Sequence, residues 1–387
     1  MAQVNEEMRK NIERKYIAEG GINLYSGGAT VIRPCDLYQC SKNSEMRDAL
    51  EGCNIYVVGR RRKISICPYS LRVANGSIRG DFRLHDESPF SFERFSFSQN
   101  KPWVNQHGKQ ASLVAASVNN LWGSSITALY DGYGKIDVPT HVLLAHTEHN
   151  LSTATDIEVV YIGQGFGQSG KRLAIDRLSS HSTLQRILSE AADEYPQDEI
   201  LILMFRYEHS KHILSSAGDF SVEPKASEEE ERKHFANQMR GTQIDRKSRI
   251  TLAEAALINY FKPRYNVTHK DSFSVERNKK LKTLKKLFEV DLTALIVEMS
   301  TANYGARLFS ASAPARDIND VLPEEAVKRL SSLQSKKEKG LNDPEIKNFI
   351  TEMTHVHIAQ FPLYSQAERE TFLHAFFSED LSASFSR

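Results

Sequence analysis

Four side chains in the middle of the chain have the chemistry needed to hydrolyse a phosphodiester bond. They are Tyr161, Arg177, His181 and Glu254. A carboxylate such as Glu254 can hold a hard divalent cation, and the guanidinium of Arg177 can bind phosphate oxygens. A phenol or an imidazole can handle the proton of the attacking water. The cation and the arginine would together neutralise the charge that develops on phosphorus.

Tyr161 is expected near the end of a strand, and Arg177 and His181 on one face of a helix. Residues 157–162 are β-branched and aromatic and precede a glycine-rich run, a pattern that predicts a buried strand. From Leu173 onward, leucine and isoleucine recur at roughly helical spacing. Two residues four apart in a helix share a face, so this helix would present the arginine and the histidine side by side.

Glu254 is expected on a second helix. The segment 251–261 has leucine, alanine, isoleucine and phenylalanine at positions that suit a helix packed on a core, and Pro263 would stop it. Glu254 is the only carboxylate in this segment. It is therefore the one side chain there that could ligate a hard cation.

Together these residues resemble the signature of the GIY-YIG nucleases. In that family a two-stranded hairpin carries two tyrosines, a helix carries Arg-x-x-x-His, and a later helix carries a metal-binding glutamate. The last of these follows a pattern like E-x-x-L-I-x-x-F-x-P-x-x-N, which is the most specific part of the match. The matching runs here are Tyr161-Ile162-Gly163, Arg177-x-x-x-His181 and Glu254-A-A-Leu257-Ile258-N-Y-Phe261-K-Pro263-R-Y-Asn266.

The resemblance implies a role for each matched position. Tyr161 would shape or activate the nucleophile, and Arg177 would bind the scissile phosphate. Glu254 would ligate one divalent metal, Mg²⁺ or Mn²⁺. His181 would assist proton transfer, and Asn266 would brace the site by hydrogen bonding.

One position of the family pattern is not filled by the residues just before this strand. The first hairpin strand should read Gly-Ile-Tyr, whereas the preceding apolar run, residues 141–146, has no tyrosine. His146 is the candidate to take its place and contact the substrate. The missing tyrosine favours a rival hypothesis, a catalytically inactive nucleic-acid-binding or scaffold protein on the same fold. The intact Arg177, His181, Glu254 and Asn266 favour an enzyme.

The loop after the strand allows a nucleotide-binding interpretation. Residues 165–171 match a phosphate-cradling P-loop as far as Lys171, and residues 165–170 match the dinucleotide fingerprint. However, Arg172 stands where a P-loop needs serine or threonine to hold magnesium, and no acidic residue closes a second strand about 20 residues on. We favour the nuclease hypothesis, in which Lys171 and Arg172 would help to hold a nucleic-acid backbone.

Composition and length predict a soluble, cytoplasmic protein that does not enter the membrane. The amino terminus is polar, and no apolar run approaches the length of a membrane span. The four cysteines lack any C-x-x-C pair, which favours free thiols over a zinc site. Because the net charge is only +1, affinity for DNA must come from basic patches, such as residues 60–63 and 270–286.

The predicted fold class is α+β, in three regions. Residues 1–135 would form a β-rich domain for target or partner recognition. Residues 136–270 would form the GIY-YIG-like module, a small mixed or antiparallel sheet flanked by helices, with an insertion over residues 207–249. Residues 271–387 would form a mixed region with a basic helix, in which residues 292–311 alternate like a β-hairpin.

The predicted function is a metal-dependent endonuclease acting on DNA. Restriction or defence against foreign DNA is the expected setting, by analogy with enzymes that combine this module with unrelated recognition domains. The amino-terminal and carboxy-terminal regions are candidates for binding a second copy of the chain or another protein.

Overall fold

The described part of the chain is a mixed α+β structure with several sheets, in agreement with the predicted fold class. A computed structural model describes residues 14–86, 88, 91–99, 112–132, 134–165, 174–216, 223–241, 244–270, 287, 290–335 and 343–362. Its strands are β1 (Glu19–Tyr25), β2 (Thr30–Ile32), β3 (Ile55–Arg62), β4 (Ile64–Ile66), β5 (Arg72–Ala74), β6 (Ser77–His85), β7 (Phe92–Gln99), β8 (Leu113–Val118), β9 (Ser125–Tyr130), β10 (Gly134–Pro139), β11 (Thr147–His149), β12 (Ile157–Gln164), β13 (Asp198–Phe205), β14 (His209–Ser215), β15 (Leu292–Ser300), β16 (Leu308–Phe309) and β17 (Val356–Pro362).

The helices cover the faces of these sheets. They are α1 (Leu37–Lys42), α2 (Ser44–Ala49), α3 (Thr140–Ala145), α4 (Ala174–Leu178), α5 (Ser182–Glu194), α6 (Glu228–Arg240), α7 (Arg246–Phe261), α8 (Glu324–Ser335) and α9 (Pro344–Thr354). None of the helices in the described ranges is long and apolar enough to cross a membrane.

A central sheet of order β16-β12-β3-β13-β2 holds the predicted site. Its middle strand β3 pairs antiparallel with both β12 and β13. Ile55 and Val57 on β3 face one apolar cluster, and Tyr56 and Val58 face another, because successive side chains of a strand point to opposite sides. All four are fully buried, so β3 is covered on both faces.

The boundary predicted near residue 135 separates two strands that lie side by side. Strand β3 belongs to the segment assigned to the amino-terminal domain, yet it is the hydrogen-bonded neighbour of β12. Residues 64–154 between them supply a separate apolar cluster built on β4 to β11 and α3. The β-rich region is thus inserted between two adjacent strands of the central sheet.

The position of the apolar run at residues 141–146 predicts the first hairpin strand, but this run is not the partner strand of β12. It forms most of helix α3, which follows Pro139 in the N-cap position. Leu143 and Leu144 are buried in the cluster of the inserted region. Their burial on one side of a helix accounts for the apolar run without a strand.

A second sheet has the order β14-β1-β15-β17. Strand β15 lies parallel to β1 and antiparallel to β17, while β16 pairs with β12 of the central sheet. The hairpin predicted over residues 292–311 is therefore wrong. Residues 292–297 of β15 are buried, as in a strand covered on both faces, and such a strand takes its partners from distant segments.

The acidic run that begins at Ser227 in the predicted insertion has the composition of a solvated helix, and it forms the start of helix α6. Ser227 and Glu230 form a capping box at its first turn, and four glutamates there suit the positive end of the helix dipole. Residues 271–286, which hold most of the predicted basic helix, lie outside the described residues.

Candidate active site

Tyr161 has a tyrosine neighbour on the adjacent strand, Tyr56. Their ring centroids are 6.1 Å apart, and the register pairs Tyr56 with Gly163 across the two strands. A methyl group added to Gly163 would lie 2.5 Å from the Cζ and Oη atoms of Tyr56. Glycine at this position therefore leaves the space that the Tyr56 ring occupies.

A local irregularity of β12 turns Tyr161 toward Tyr56. The register between β12 and β3 shifts between Val159 and Tyr161, so Val160 is an extra residue in its strand. Val160 and Tyr161 consequently pack on the same cluster as Tyr56. Without this bulge, strict alternation would point Tyr161 to the other face of the sheet.

His181 lies against both tyrosines. Its Nε2 atom is 3.5 Å from the hydroxyl of Tyr161, and its ring centroid is 5.3 Å from that of Tyr161 and 6.1 Å from that of Tyr56. The three rings thus form one group, in which Tyr56 is fully buried and Tyr161 and His181 are half-buried. An imidazole at this position can exchange a hydrogen bond with the phenol of Tyr161.

His181 is also the N-cap of helix α5. Its Nδ1 atom accepts a hydrogen bond from the backbone N–H of Leu184 at 3.3 Å. Because Nδ1 accepts, a neutral ring carries its proton on Nε2 and donates toward Tyr161. Burial lowers the pKa of His181 below its ordinary value, and the charge of Arg177 lowers it further. The ring is therefore neutral at pH 7.

Arg177 and His181 do not share one helix, contrary to the prediction. Helix α4 ends at Leu178, and Ser179 and Ser180 form a turn before α5 begins. The imidazole cap at the start of α5 takes the place of a continuing helical hydrogen bond at this point. The two side chains are nevertheless near enough for the charge of Arg177 to lower the pKa of His181.

Arg177 is exposed and is anchored by one end of its guanidinium. Its Nη1 donates to the carbonyl of Gln164, the last residue of β12, at 3.0 Å. Its helix is fastened to α2 by an ion pair of 2.9 Å between Arg47 and Asp176. A guanidinium has five N–H donors, so Arg177 keeps donors for a phosphate.

Glu254 lies on helix α7, which packs on the opposite face of the sheet from this group. Helix α7 packs its apolar side on the other cluster, yet the Glu254 side chain is only half-buried. Burial raises the pKa of Tyr161, and the negative charge of Glu254 raises it further, whereas Arg177 lowers it. Burial likewise raises the pKa of Tyr56, and Glu254 adds to this. The carboxylate therefore lies within electrostatic reach of both phenols.

Asn266 fixes the strand that carries Tyr161. Its side-chain oxygen accepts from the N–H of Ile162 at 2.9 Å, and its side-chain nitrogen donates to the Ile162 carbonyl at 2.8 Å. The neighbouring Tyr265 N–H donates to the carbonyl of Val160, the extra residue of the bulge, at 3.1 Å. The segment after α7 thus runs along β12 and satisfies its backbone.

No family model, curated protein or solved structure matches this chain. The arguments about its function therefore rest on the residues and their geometry.

The remaining predicted site residues lie elsewhere or cannot be described. His146 follows helix α3 in the inserted region, where its Nδ1 donates to the carbonyl of Val142 at 2.9 Å. Its described contact is thus with its own helix. Lys171 and Arg172 fall outside the described residues.

A single protein carboxylate such as that of Glu254 is compatible with a magnesium site. Among the residues that the structure describes, no three His, Cys, Asp or Glu side chains cluster in the manner of a metal cage. Mg²⁺ retains several waters and is commonly held by one or two carboxylates together with substrate phosphates. Half-buried Glu254, near two phenols and an arginine, fits that mode of binding.

Proposed function

We propose that this protein is a divalent-metal-dependent endonuclease of the GIY-YIG type that hydrolyses phosphodiester bonds in DNA. One observation carries the proposal, which is the grouping of two tyrosines from adjacent antiparallel strands with His181, Arg177 and Glu254. Local sequence does not require these five residues to meet, because they come from five separate elements: β3, β12, α4, the N-cap of α5, and α7. Their chemistry is that of metal-assisted phosphodiester hydrolysis.

Tyr56 removes the main objection to this hypothesis. The family pattern requires an Ile-Tyr pair on the first hairpin strand, and Ile55-Tyr56 supplies it, with Asn54 in place of glycine. This strand pairs antiparallel with the one that carries Tyr161-Ile162-Gly163. The inactive-scaffold hypothesis depended on a missing tyrosine, and it loses that support.

The charged residues would act on the phosphate. Arg177 donates hydrogen bonds to the non-bridging oxygens and holds the scissile group against the strand ends. Glu254 supplies the protein ligand for Mg²⁺ or Mn²⁺. When bound, such a cation would lower the pKa of a coordinated water and polarise the phosphate. Lys171 and Arg172, which follow β12 in the sequence, are candidates to bind neighbouring phosphates.

The aromatic residues would position the attacking water. Because their pKa values are raised, Tyr56 and Tyr161 are protonated at neutral pH and hold a water or a phosphate oxygen by hydrogen bonds. His181 donates from Nε2 toward the oxygen of Tyr161, which leaves the proton of that hydroxyl directed elsewhere. In the reaction, the water oxygen bonds to phosphorus as the bridging P–O bond breaks, the attacking water releases a proton to solvent, and the leaving oxygen takes up a proton from solvent.

Restriction or defence against foreign DNA remains the proposed setting. The inserted β-rich region separates the two tyrosine strands in sequence and offers a surface that a small catalytic module alone would lack. A recognition region of this kind is what a nuclease needs to select its target.

Metal dependence of DNA cleavage tests the proposal. The purified protein is incubated with supercoiled plasmid and with single-stranded DNA in Mg²⁺, Mn²⁺ or Ca²⁺, each with and without chelator. We expect nicked or linear product in Mg²⁺ or Mn²⁺ and none with chelator. Cleavage that is unchanged by chelator, or intact DNA in every metal, would contradict the proposal.

A further inference from the structure

The inserted region exposes a row of arginines on one side of its sheet. Strands β5, β6 and β7 are consecutive neighbours, and their outward positions include Arg72, Arg79, Arg83 and Arg94. We call this surface the arginine face. The other side of the same strands carries Ile78, Phe82, Leu84 and Phe97, which are buried in the cluster of the inserted region.

The arginines lie opposite one another instead of opposite carboxylates. Arg72 pairs with Arg79 across β5 and β6, and Arg83 pairs with Arg94 across β6 and β7. Like charges directly opposite in a sheet are destabilising. Two such pairs on one face indicate that the arrangement serves a ligand and not the stability of the fold.

Several arginines elsewhere in the chain are paired with acidic side chains. Arg61 bonds to Glu199 at 2.8 Å, and Arg246 and Arg307 bond to Glu208 and Asp156, each at 2.6 Å.

The arginine face differs from these pairs. In the described part of the chain, none of its four arginines forms an ion pair. Its carboxylates are Asp81, which accepts a hydrogen bond from Ser96 at 2.9 Å, and Glu148 at the far edge. Positive charge on this face is therefore in excess.

Two of the arginines are held at an exposed aromatic ring. The guanidinium of Arg83 lies 5.0 Å from the ring centroid of Phe92, and that of Arg94 lies 5.8 Å from it. The ring attracts both cations and so keeps them close despite their repulsion. The Nε atom of Arg83 is buried without a hydrogen-bond partner, although its Nη2 lies 3.7 Å from Cys67 Sγ.

Titratable neighbours sense this positive field. Burial alone would raise the pKa of Cys67, but the hydrogen bond from Arg83 and the charges of Arg83 and Arg94 hold it below its ordinary value. Burial lowers the pKa of His85, and the charges of Lys63 and Arg83 lower it further.

We propose that the arginine face binds the phosphate backbone of DNA, the substrate class of the proposed function. The inference takes its ligand from the proposed function, but it does not require cleavage. Arg79 and Arg83 are four residues apart on one strand, a span of about 13 Å. Over this length of the helix axis, each strand of duplex DNA carries about four phosphates. Unpaired guanidiniums on an exposed sheet are suited to contact them.

The salt dependence of DNA binding tests this surface. The double variant Arg79→Gln/Arg94→Gln removes two exposed guanidiniums, while Arg232→Gln/Arg329→Gln removes two exposed guanidiniums from helices α6 and α8 as a control. Binding of a labelled duplex of mixed sequence is measured in chelator, so that no cleavage occurs, over a range of salt concentrations. Each lost phosphate contact should make the negative slope of log K against log salt less steep by about 0.9.

We expect the arginine-face variant to bind on the order of tenfold more weakly or worse at 0.1 M salt, with a slope smaller by about two. The control should match the wild type. Equal affinity and slope in wild type and arginine-face variant would overturn the inference. Binding of the wild type to phosphatidylserine vesicles but not to DNA would overturn it too.

These failures are separable from that of the nuclease proposal. A protein that binds DNA through this face but never cuts it would refute only the nuclease. A protein that cuts DNA but shows no effect of the arginine-face variant would refute only the surface.

Discussion

The ring of Tyr56 leaves no space for a side chain at Gly163. We predict that Gly163→Ala lowers the free energy of unfolding by about 1–3 kcal/mol, the usual cost of overpacking a filled core. Urea denaturation would measure it. Gly27→Ala is the control, because nothing lies within 4 Å of its added methyl group. Equal losses in both variants would contradict the packing of Tyr56 over Gly163.

The hydroxyl of Tyr56 is predicted to serve the reaction. Tyr56→Phe keeps the ring that fills the core but removes the group that could hold a water or a phosphate oxygen. We expect DNA cleavage to fall by about 10²-fold or more, as for loss of one preorganised hydrogen-bond donor at the reacting group, with folding retained. Single-turnover cleavage would measure it, with Tyr38→Phe as the control because Tyr38 is 66% exposed on helix α1. Full activity of Tyr56→Phe would exclude this role.

Single residues were predictable from the sequence where a local pattern marked them. Glu254 and Asn266 belong to one continuous run, and the structure joins that run to β12 through hydrogen bonds to Ile162. Tyr56 was missed even though its strand was recognisable as an apolar β-branched run. Nothing in that run states which distant strand it pairs with, since pairing is decided by packing of the whole sheet.

At the scale of elements, the junction between α4 and α5 depends on the protonation of one imidazole. The pKa of His181 is lower in the folded protein than in the unfolded chain, so the unfolded chain takes up the proton first. The stability that neutral His181 contributes is therefore complete above its unfolded pKa of about 6.5 and is lost as pH falls toward the folded value.

His181→Asn isolates this effect, because asparagine is also a good N-cap but does not titrate. Urea denaturation of both proteins at pH 7.5 and pH 5 measures it. We predict that the wild type loses stability relative to the variant on acidification. Other buried histidines, such as His141 and His357 with pKa values of about 4, are common to both proteins and cancel. Parallel loss in the two proteins would show that His181 is not titrating as proposed.

Elements were predicted well where their pattern was local and poorly where it depended on tertiary contacts. Strand β12, helix α7 and the capped acidic helix α6 agree with their periodicity and capping residues. The long helix expected over Arg177 and His181 is split, because a histidine cap competes with helix continuation. The bulge at Val160 sets the face of the sheet on which Tyr161 lies, but it cannot be recognised from the hydrophobic pattern of the strand.

At the scale of the whole molecule, the inserted region can be treated as a unit between the two tyrosine strands. Among the described residues, its apolar cluster draws on residues 64–154. The buried members of the two clusters of the central sheet come from other parts of the chain, although Ala145 packs against one of them. We predict that a short turn in place of residues 64–155 leaves a folded protein, since β3 and β12 would then form an ordinary hairpin.

The shortened protein should bind DNA more weakly, because it lacks the arginine face, but should cut saturating DNA within about tenfold of the full chain. Circular dichroism and single-turnover cleavage would check folding and activity. If this folded protein has no cleavage activity at saturating DNA, the inserted region contributes to the chemistry itself.

The domain boundary predicted near residue 135 does not coincide with a break in the central sheet. The predicted boundary near residue 135 follows the change from β-rich to mixed composition along the chain. Strand β3, which carries Tyr56, precedes this boundary, whereas its neighbour β12 follows it. A sheet can contain strands that are far apart in sequence, whereas composition is read along the chain. Only the three-dimensional pairing joins Ile55-Tyr56 to Tyr161-Ile162-Gly163.

The most direct test of the account is the comparison of Glu254→Gln with Glu229→Gln in plasmid cleavage with Mg²⁺ or Mn²⁺. Glu229 is exposed on helix α6, so its change controls for loss of one carboxylate. The account predicts that Glu254→Gln folds and binds DNA in chelator but loses cleavage by at least about 10²-fold, while Glu229→Gln cuts like the wild type. Wild-type cleavage rates in Glu254→Gln, or the absence of cleavage by the wild type itself, would contradict it.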